Sequence, residues 1–216
     1  MSLYVLGRRL YFPDVEEADE EGLLAIGGDL SEKRLLLAYR KGIFPWYQGE
    51  DILWWCPDPR FVLFPDELRV SRSMNQLIRK GYFDFSVNRD FLSVISNCKT
   101  IGRRGQDGTW ITDDIKKAYC QLHEKGFAHS AEAWKDGQLV GGLYGVRLGK
   151  VFFGESMFSK GSNASKFAFI QYVELLKNQG VTLIDCQIYT EHLESLGARM
   201  ISRKTFVKEL DNLIDH

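Results

Sequence analysis

The chain has 216 residues, of which 44% are hydrophobic and 26% are charged, so it is long enough to bury a sizeable core and has an ordinary globular composition. Lys and Arg number 28 against 29 Asp and Glu, and this balance excludes a global attraction to nucleic acid or membrane, so that any RNA-binding surface needs segregated charge. The four cysteines form no C-x-x-C pair, no apolar run approaches the roughly 20 residues of a membrane span, and no signal peptide is visible, so we expect a cytoplasmic protein with reduced thiols.

The first part of the chain predicts an irregular but well-packed module. Ser31 is a suitable N-cap for a helix over 32–41, which Gly42 ends. The segment 42–65 then carries four of the five prolines of the chain together with three tryptophans, Trp46, Trp54 and Trp55. Because prolines disfavour regular structure whereas tryptophans need burial or a stacking partner, we expect this segment to be packed without being regular.

From residue 61 onward the hydrophobic pattern becomes regular. The first half predicts a strand, a helix capped by Ser71 or Ser73, a second strand and two helices, over 61–65, 71–81, 83–88, 90–98 and 113–125. The second half predicts three strands joined by turns at KDGQ and RLGK, a long helix capped by Asn163, a central strand, a short helix and a last strand, over 127–159, 163–180, 181–188, 191–198 and 199–206.

The order of these elements from residue 126 resembles the fold of the GCN5-related N-acetyltransferases (GNAT). We therefore expect an α+β protein with a small irregular N-terminal domain over 1–62 and a GNAT-like domain over 63–216, in which helices flank a mixed sheet. Acetyl-CoA enzymes place a glycine-rich pyrophosphate loop, Arg/Gln-x-x-Gly-x-Gly/Ala, before the long helix. The loop SKGSNAS has one glycine and does not match it, so the scaffold resembles an acyltransferase that lacks a CoA site.

A set of short motifs between residues 22 and 198 makes the resemblance specific: GLLAIGGDL, GIFPW, WWCPDPR, GTWIT, GGLYG, FFGESMFS, NASK, DCQ and HLESLGA. In this order they resemble the leucyl/phenylalanyl-tRNA–protein transferase family. The resemblance implies a bacterial enzyme that moves leucine or phenylalanine from Leu-tRNA or Phe-tRNA to the α-amino group of proteins that begin with Arg or Lys. The product is an N-end rule degradation signal. The resemblance further implies a monomer with no cofactor, no metal and no membrane partner.

The donor substrate ends in an adenosine, and its base needs a flat partner such as an aromatic ring. Trp46 and Trp110 match the tryptophans of the family that contact adenine. Tyr39 and Tyr119 match family positions near the site. For all four residues, packing into the hydrophobic core is the alternative.

The apolar aminoacyl group needs an apolar pocket. Leu143, Phe152 and Met157 lie on two adjacent predicted strands and are candidates for its lining, although Phe152 also suits an ordinary core. A methionine adapts its shape to both leucine and phenylalanine. Glu155 stands in the middle of the same apolar strand, where a carboxylate is costly unless it is paired. It matches a glutamate in the aminoacyl pocket of the family, and burial against an arginine is the alternative.

The acceptor's α-amino group must lose a proton as it attacks the ester. The resemblance points to Asp185 and Gln187 as the residues that orient this amine and help to deprotonate it. Alternation along a strand would place them on one face and Cys186 on the other. Gln187 does not titrate and can only accept a hydrogen bond from the amine, whereas Asp185 could receive the proton through water. As an alternative, Asp185 caps the following helix or pairs with a basic residue.

Two basic segments are candidates for contact with the tRNA body, although such charge is usually a solvated face. They contain Arg69, Arg72, Arg79 and Lys80, and Lys99, Arg103 and Arg104. Two competing functions remain open from the sequence. One is an ordinary acetyl-CoA-dependent N-acetyltransferase, against which the missing CoA loop argues. The other is a tRNA- or peptide-binding module without catalytic activity.

Overall fold

The computed structural model describes residues 3–100 and 111–214. Within these ranges it contains two β-sheets and seven α-helices, so the predicted α+β class is confirmed. The predictions for Trp110, Arg103 and Arg104 lie outside the described residues. None of the described helices is long and apolar enough to cross a membrane.

The N-terminal part forms a four-stranded sheet, which corrects the prediction of an irregular module. Its strands follow the spatial order β1-β2-β4-β3 and are β1 (Tyr4–Leu6), β2 (Leu23–Gly27), β3 (Phe44–Pro45) and β4 (Leu53–Trp55). Helix α1 (Glu32–Arg40) follows β2, and the hydroxyl of Ser31 accepts a hydrogen bond from the N–H of Arg34, as the N-cap prediction requires. The strands have only two to five residues, which is too short for alternation to be visible in the sequence.

The second sheet has seven strands in the order β11-β5-β10-β9-β8-β7-β6. The strands are β5 (Arg60–Leu63), β6 (Asp84–Val87), β7 (Ala128–Lys135), β8 (Gln138–Leu148), β9 (Val151–Ser159), β10 (Leu183–Gln187) and β11 (Arg199–Ile201). Strands β9 and β10 run parallel and the other neighbouring pairs run antiparallel, so the sheet is mixed, as predicted.

Helices cover both faces of this sheet. They are α2 (Arg72–Arg79), α3 (Phe91–Thr100), α4 (Asp113–Glu124), α5 (Ala164–Asn178), the short α6 (Glu191–Glu194) and α7 (Arg203–Leu213). The last one corrects the predicted final strand over 199–206: the strand stops at Ile201, because the hydroxyl of Ser202 caps the N–H of Thr205 and starts α7. Asn163 precedes α5 at a φ of 67°, but its side chain makes no capping hydrogen bond.

The core lies in two layers on either side of the large sheet. Helix α5 packs against β7 and β8 on one face, while α3 and α4 pack on the opposite face. Gly141 of β8 permits the close approach of α5, since a Cβ atom there would lie 2.6 Å from the Cβ of Ala164. Buried residues of the small sheet join the α3/α4 layer in one continuous core, so the small sheet is packed against the rest of the molecule.

Candidate active site

A cavity of about 470 Å³ opens where the pairing between β9 and β10 stops, and β9 continues along it to Ser159. Part of its lining is formed by Phe44, Pro45 and Trp46, which come from β3 and the residue after it. An apolar body includes Leu143, Met157, Phe169, Ile184 and Leu193. Polar groups face the same space, among them Glu155, Asp185, Gln187, Thr190 and His192. The cavity therefore combines aromatic side chains, an apolar body and polar groups.

Glu155 of β9 is one of the two carboxyl groups among these polar residues, and only 7% of the residue is exposed. Its Oε1 accepts the hydroxyl of Tyr39 at 2.8 Å and the side-chain amide of Gln187 at 2.9 Å. Its Oε2 accepts the hydroxyl of Tyr119 at 3.0 Å. None of the ion pairs among the described residues includes Glu155. The hydrogen-bond donors to Glu155 are therefore neutral groups. The alternative that the sequence allowed, pairing with an arginine, is not found among the described residues.

Burial raises the pKa of Glu155 to about 7, while the hydrogen bonds from Tyr39 and Tyr119 act in the opposite direction. Burial also raises the pKa of both tyrosines well above the ordinary value, and the charge of Glu155 adds to this effect. Both hydroxyls therefore remain protonated at neutral pH, and Glu155 is the member of the group that can change its charge near pH 7.

Asp185 of β10 is fully buried and forms a two-pronged ion pair with Arg60 of β5. The Nε and Nη2 atoms of Arg60 donate to its two carboxylate oxygens at 2.8 and 2.7 Å. The ring centroids of Phe44 and Phe206 lie 4.7 and 4.6 Å from the guanidinium carbon of Arg60. Of the alternatives that the sequence left open for Asp185, the structure shows pairing with a basic residue.

Gln187 ends β10 in a left-handed conformation, with a φ of 64°, and the register of the sheet shifts between Asp185 and Gln187. Its backbone N–H donates to the carboxylate of Asp185 at 2.9 Å, which holds this unusual geometry. Its side-chain amide donates to Glu155. Because of the shift, strict alternation does not hold, and Cys186 lines the cavity together with Asp185 and Gln187.

The structure brings Trp46, Leu143 and Met157 to the cavity, together with Glu155, Asp185 and Gln187. It does not bring Phe152 there. The ring of Phe152 is buried in the core layer beside α5, edge-on to Tyr172 with 5.1 Å between the ring centroids, and it is not among the residues that line the cavity. Phe152 is thus a core residue in this structure.

Tyr39 and Tyr119 are fully buried and lie behind Glu155, so they do not line the cavity as the prediction of substrate contact requires. Tyr39 reaches this position from α1 and Tyr119 from α4, and their hydroxyls contact each other. Tyr39 and Tyr119 therefore pack in the hydrophobic core, as the alternative interpretation held. They also donate hydrogen bonds to Glu155, which lines the cavity.

Sequence reasoning missed several residues of the site, above all Arg60, Phe169 and His192. Arg60 stands inside the WWCPDPR motif at the start of an apolar strand, and a lone arginine in that position was the available signal. Phe169 belongs to a helix that is apolar on more than one face, so the sequence does not distinguish a cavity residue from a core residue. His192 lies on α6, which follows β10, and burial lowers its pKa.

Other predicted contacts lie away from the cavity. Arg69, Arg72, Arg79 and Lys80 are exposed on and around α2, and Lys99 of α3 pairs with Asp113 at 2.5 Å. Among the described residues, no group of three or more His, Cys, Asp or Glu side chains could hold a metal ion.

The mixed sheet, its parallel strand pair and a cavity that combines an apolar body with a carboxyl group and an amide define a transferase of GNAT-like fold. The family model of the leucyl/phenylalanyl-tRNA protein transferases matches residues 62–211, and the model of their N-terminal domain matches residues 28–58. The chain therefore belongs to the leucyl/phenylalanyl-tRNA–protein transferase family. It is an aminoacyltransferase whose substrates are an aminoacyl-tRNA and a protein.

Relatives support this assignment over the whole chain. The leucyl/phenylalanyl-tRNA–protein transferase of Syntrophus aciditrophicus is 60% identical over 95% of this chain and 87% of the relative. That of Flavobacterium johnsoniae is 57% identical over 96% of this chain and 99% of the relative. Among solved structures, a GCN5-related N-acetyltransferase-like protein from Streptococcus suis is 13% identical, covers 67% of this chain and 58% of its own, and has a TM-score of 0.40.

Proposed function

We propose that this enzyme transfers leucine or phenylalanine from Leu-tRNA or Phe-tRNA to the α-amino group of proteins that begin with Arg or Lys, and so marks them for N-end rule degradation. We further propose that it acts in the cytoplasm as a monomer, with residues 1–62 and 63–216 as its two domains. Membership of the family supports the reaction. The two adjacent family matches support the division of the chain.

The observation that carries the donor proposal is that aromatic, apolar and polar side chains line one cavity. The adenine ring stacks on Trp46, and Trp110, outside the described residues, is proposed as its second aromatic contact. The leucyl or phenylalanyl side chain occupies the apolar body beside Leu143 and Met157. A pocket of this kind distinguishes apolar side chains by only about 1–3 kcal/mol per methylene, which suits an enzyme with two donors.

The ester carbon of the donor then lies beside Glu155 and Gln187, which line the same cavity. The amide nitrogen of Gln187 is committed to Glu155, so its carbonyl oxygen is the acceptor for the incoming α-amino group. Asp185 acts through Gln187, because it fixes the backbone from which that side chain projects. Positioning of this kind is worth several orders of magnitude in the rate of a two-substrate reaction.

The test is a transfer assay with purified protein, Leu-tRNA and a short peptide that begins with Arg. We expect leucine to appear at the peptide N-terminus, and Gln187→Ala to reduce the rate strongly. Gln138→Ala, which changes an exposed glutamine at the start of β8, serves as the matched control and should retain full activity. Absence of leucine on the peptide, combined with acetyl transfer from acetyl-CoA, would refute the proposed function in favour of an acetyltransferase.

A further inference from the structure

Glu155 and its two tyrosine partners form three oxygen-to-oxygen contacts, but the two tyrosines supply only two protons for hydrogen bonds. The hydroxyls of Tyr39 and Tyr119 each contact one oxygen of Glu155, and they also contact each other. Each of these three contacts needs one proton, and each phenol carries only one. A carboxylate therefore leaves one of the three contacts without a proton. A carboxylic acid supplies the third proton and closes the ring.

The charged and titratable groups that face Glu155 agree with this count. Tyr39 faces it from α1 and Tyr119 from α4, and burial raises the pKa of both phenols, so they are neutral near pH 7. Tyr144 of β8 packs edge-on against the ring of Tyr119. On β10, the negative charge of Asp185 disfavours a second charge on Glu155. Arg60 of β5 carries the compensating positive charge, but its Nε and Nη2 atoms are already bonded to Asp185.

We propose that Glu155 is the acid–base residue of the transfer reaction, and that Tyr39 and Tyr119 are positioning residues whose hydrogen-bonded ring closes when Glu155 holds a proton. This inference rests on the proposed function. It concerns the fate of a single proton, which must leave the attacking nitrogen and reach the departing ribose oxygen.

The acceptor enters as a neutral amine, after its ammonium form has lost a proton to solvent. Its nitrogen forms a bond to the ester carbon, and an N–H proton passes to the carboxylate of Glu155. The bond between the ester carbon and the ribose oxygen then breaks, the electron pair stays on that oxygen, and the oxygen takes the proton back from Glu155. Glu155 ends as it began, and no other reactant is consumed.

Two other titratable groups of the cavity, Asp185 and Cys186, are less suited to this role. The oxygens of Asp185 accept hydrogen bonds from the charged guanidinium group of Arg60, whereas those of Glu155 accept them from neutral groups. Burial raises the pKa of Cys186, so it remains a thiol at neutral pH. The pKa of Glu155 is about 7, close to neutral pH, so the carboxylate that accepts the proton and the acid that returns it are both accessible.

Single-turnover rates with Leu-tRNA and an Arg-peptide, measured between about pH 5.5 and 8.5, test the kinetic part. We expect Glu155→Gln to lower the rate constant about 100- to 10,000-fold without a change in the Kd for Leu-tRNA. Tyr39→Phe and Tyr119→Phe each remove a hydrogen bond to Glu155 and open the ring, and so should displace the low-pH limb of the rate profile by about one pH unit. Tyr172→Phe, a buried tyrosine of α5, is the matched control and should leave the limb in place.

Infrared spectroscopy of the unliganded enzyme gives a second measurement that needs no activity. We expect the carbonyl band of a protonated carboxyl group at pH 5, its loss on titration above neutral pH, and its absence in Glu155→Gln. Unchanged rates and an unchanged pH profile in Glu155→Gln, or the lack of such a band, would overturn the assignment. If wild-type enzyme transfers no leucine at all, the proposed function fails instead, while the infrared band still reports on Glu155.

Discussion

The free energy of unfolding of the wild type should decline as the pH rises, because Glu155 must then lose its proton. Replacement of Glu155 by Gln should remove this decline. Glu155 keeps its proton up to about pH 7 in the folded state, whereas the ordinary value for glutamate is 4.5. Between these values the folded protein binds one proton more than the unfolded chain, so its free energy of unfolding declines as the pH rises. Each pH unit is worth about 1.4 kcal/mol, which gives a loss of about 3 kcal/mol across the window.

Urea denaturation followed by tryptophan fluorescence at about pH 5 and about pH 8 measures this loss. Surface carboxylates change the stability of both proteins equally, so the difference between wild type and Glu155→Gln isolates the buried group. We expect wild type to lose about 3 kcal/mol relative to the variant between the two pH values, with unchanged m-values. Parallel pH dependence of the two proteins would mean that Glu155 is ionised at low cost, and the burial reasoning would then be wrong.

Three further predictions concern other parts of the structure. Loss of one partner of the buried Arg60–Asp185 pair, by Arg60→Met or Asp185→Leu, should lower the free energy of unfolding by about 3–5 kcal/mol, and the double variant should recover most of it; additive losses in urea denaturation would contradict this. Trp46→Ala should reduce kcat/KM for Leu-tRNA about 5- to 150-fold, the equivalent of about 1–3 kcal/mol of base stacking, and unchanged kinetics would remove the stacking role. Gly145→Ala places a Cβ atom 2.1 Å from the carbonyl oxygen of Phe153 and should destabilise the protein by about 1–3 kcal/mol, whereas Gly161→Ala has open space and should be neutral in the same assay.

Local signals in the sequence were sufficient for most elements of the large sheet. The turns at KDGQ and RLGK and the serine caps at Ser31 and Ser71 act within a few residues of the chain, so their effect is readable without the fold. Helix α7 was missed because its first four residues were assigned to the predicted last strand over 199–206. Only the hydroxyl of Ser202 separates the strand from the helix, and a single cap is a weak signal beside a strand pattern.

The site was predictable as a set of residues but not as a set of contacts. The resemblance indicated that Glu155, Gln187, Leu143 and Met157 belong to one cavity. It could not indicate that the carboxyl group of Glu155 is held by two tyrosines that lie 116 and 36 residues away in the sequence, because such pairings depend on how helices dock on the sheet. For the same reason, the sequence did not indicate that Asp185 pairs with Arg60, which lies 125 residues away.

The two buried carboxyl groups of the cavity have opposite surroundings, and Gln187 connects them. A guanidinium group compensates the charge of Asp185, whereas neutral hydroxyls and an amide surround Glu155. Pairs of this kind divide the roles in many active sites, with one group as a fixed charge and the other as the proton carrier. Gln187 donates its backbone N–H to the fixed charge and its side-chain amide to the carrier. The left-handed turn at Gln187 is therefore held from both sides, which leaves its carbonyl oxygen as the group that can receive the acceptor amine.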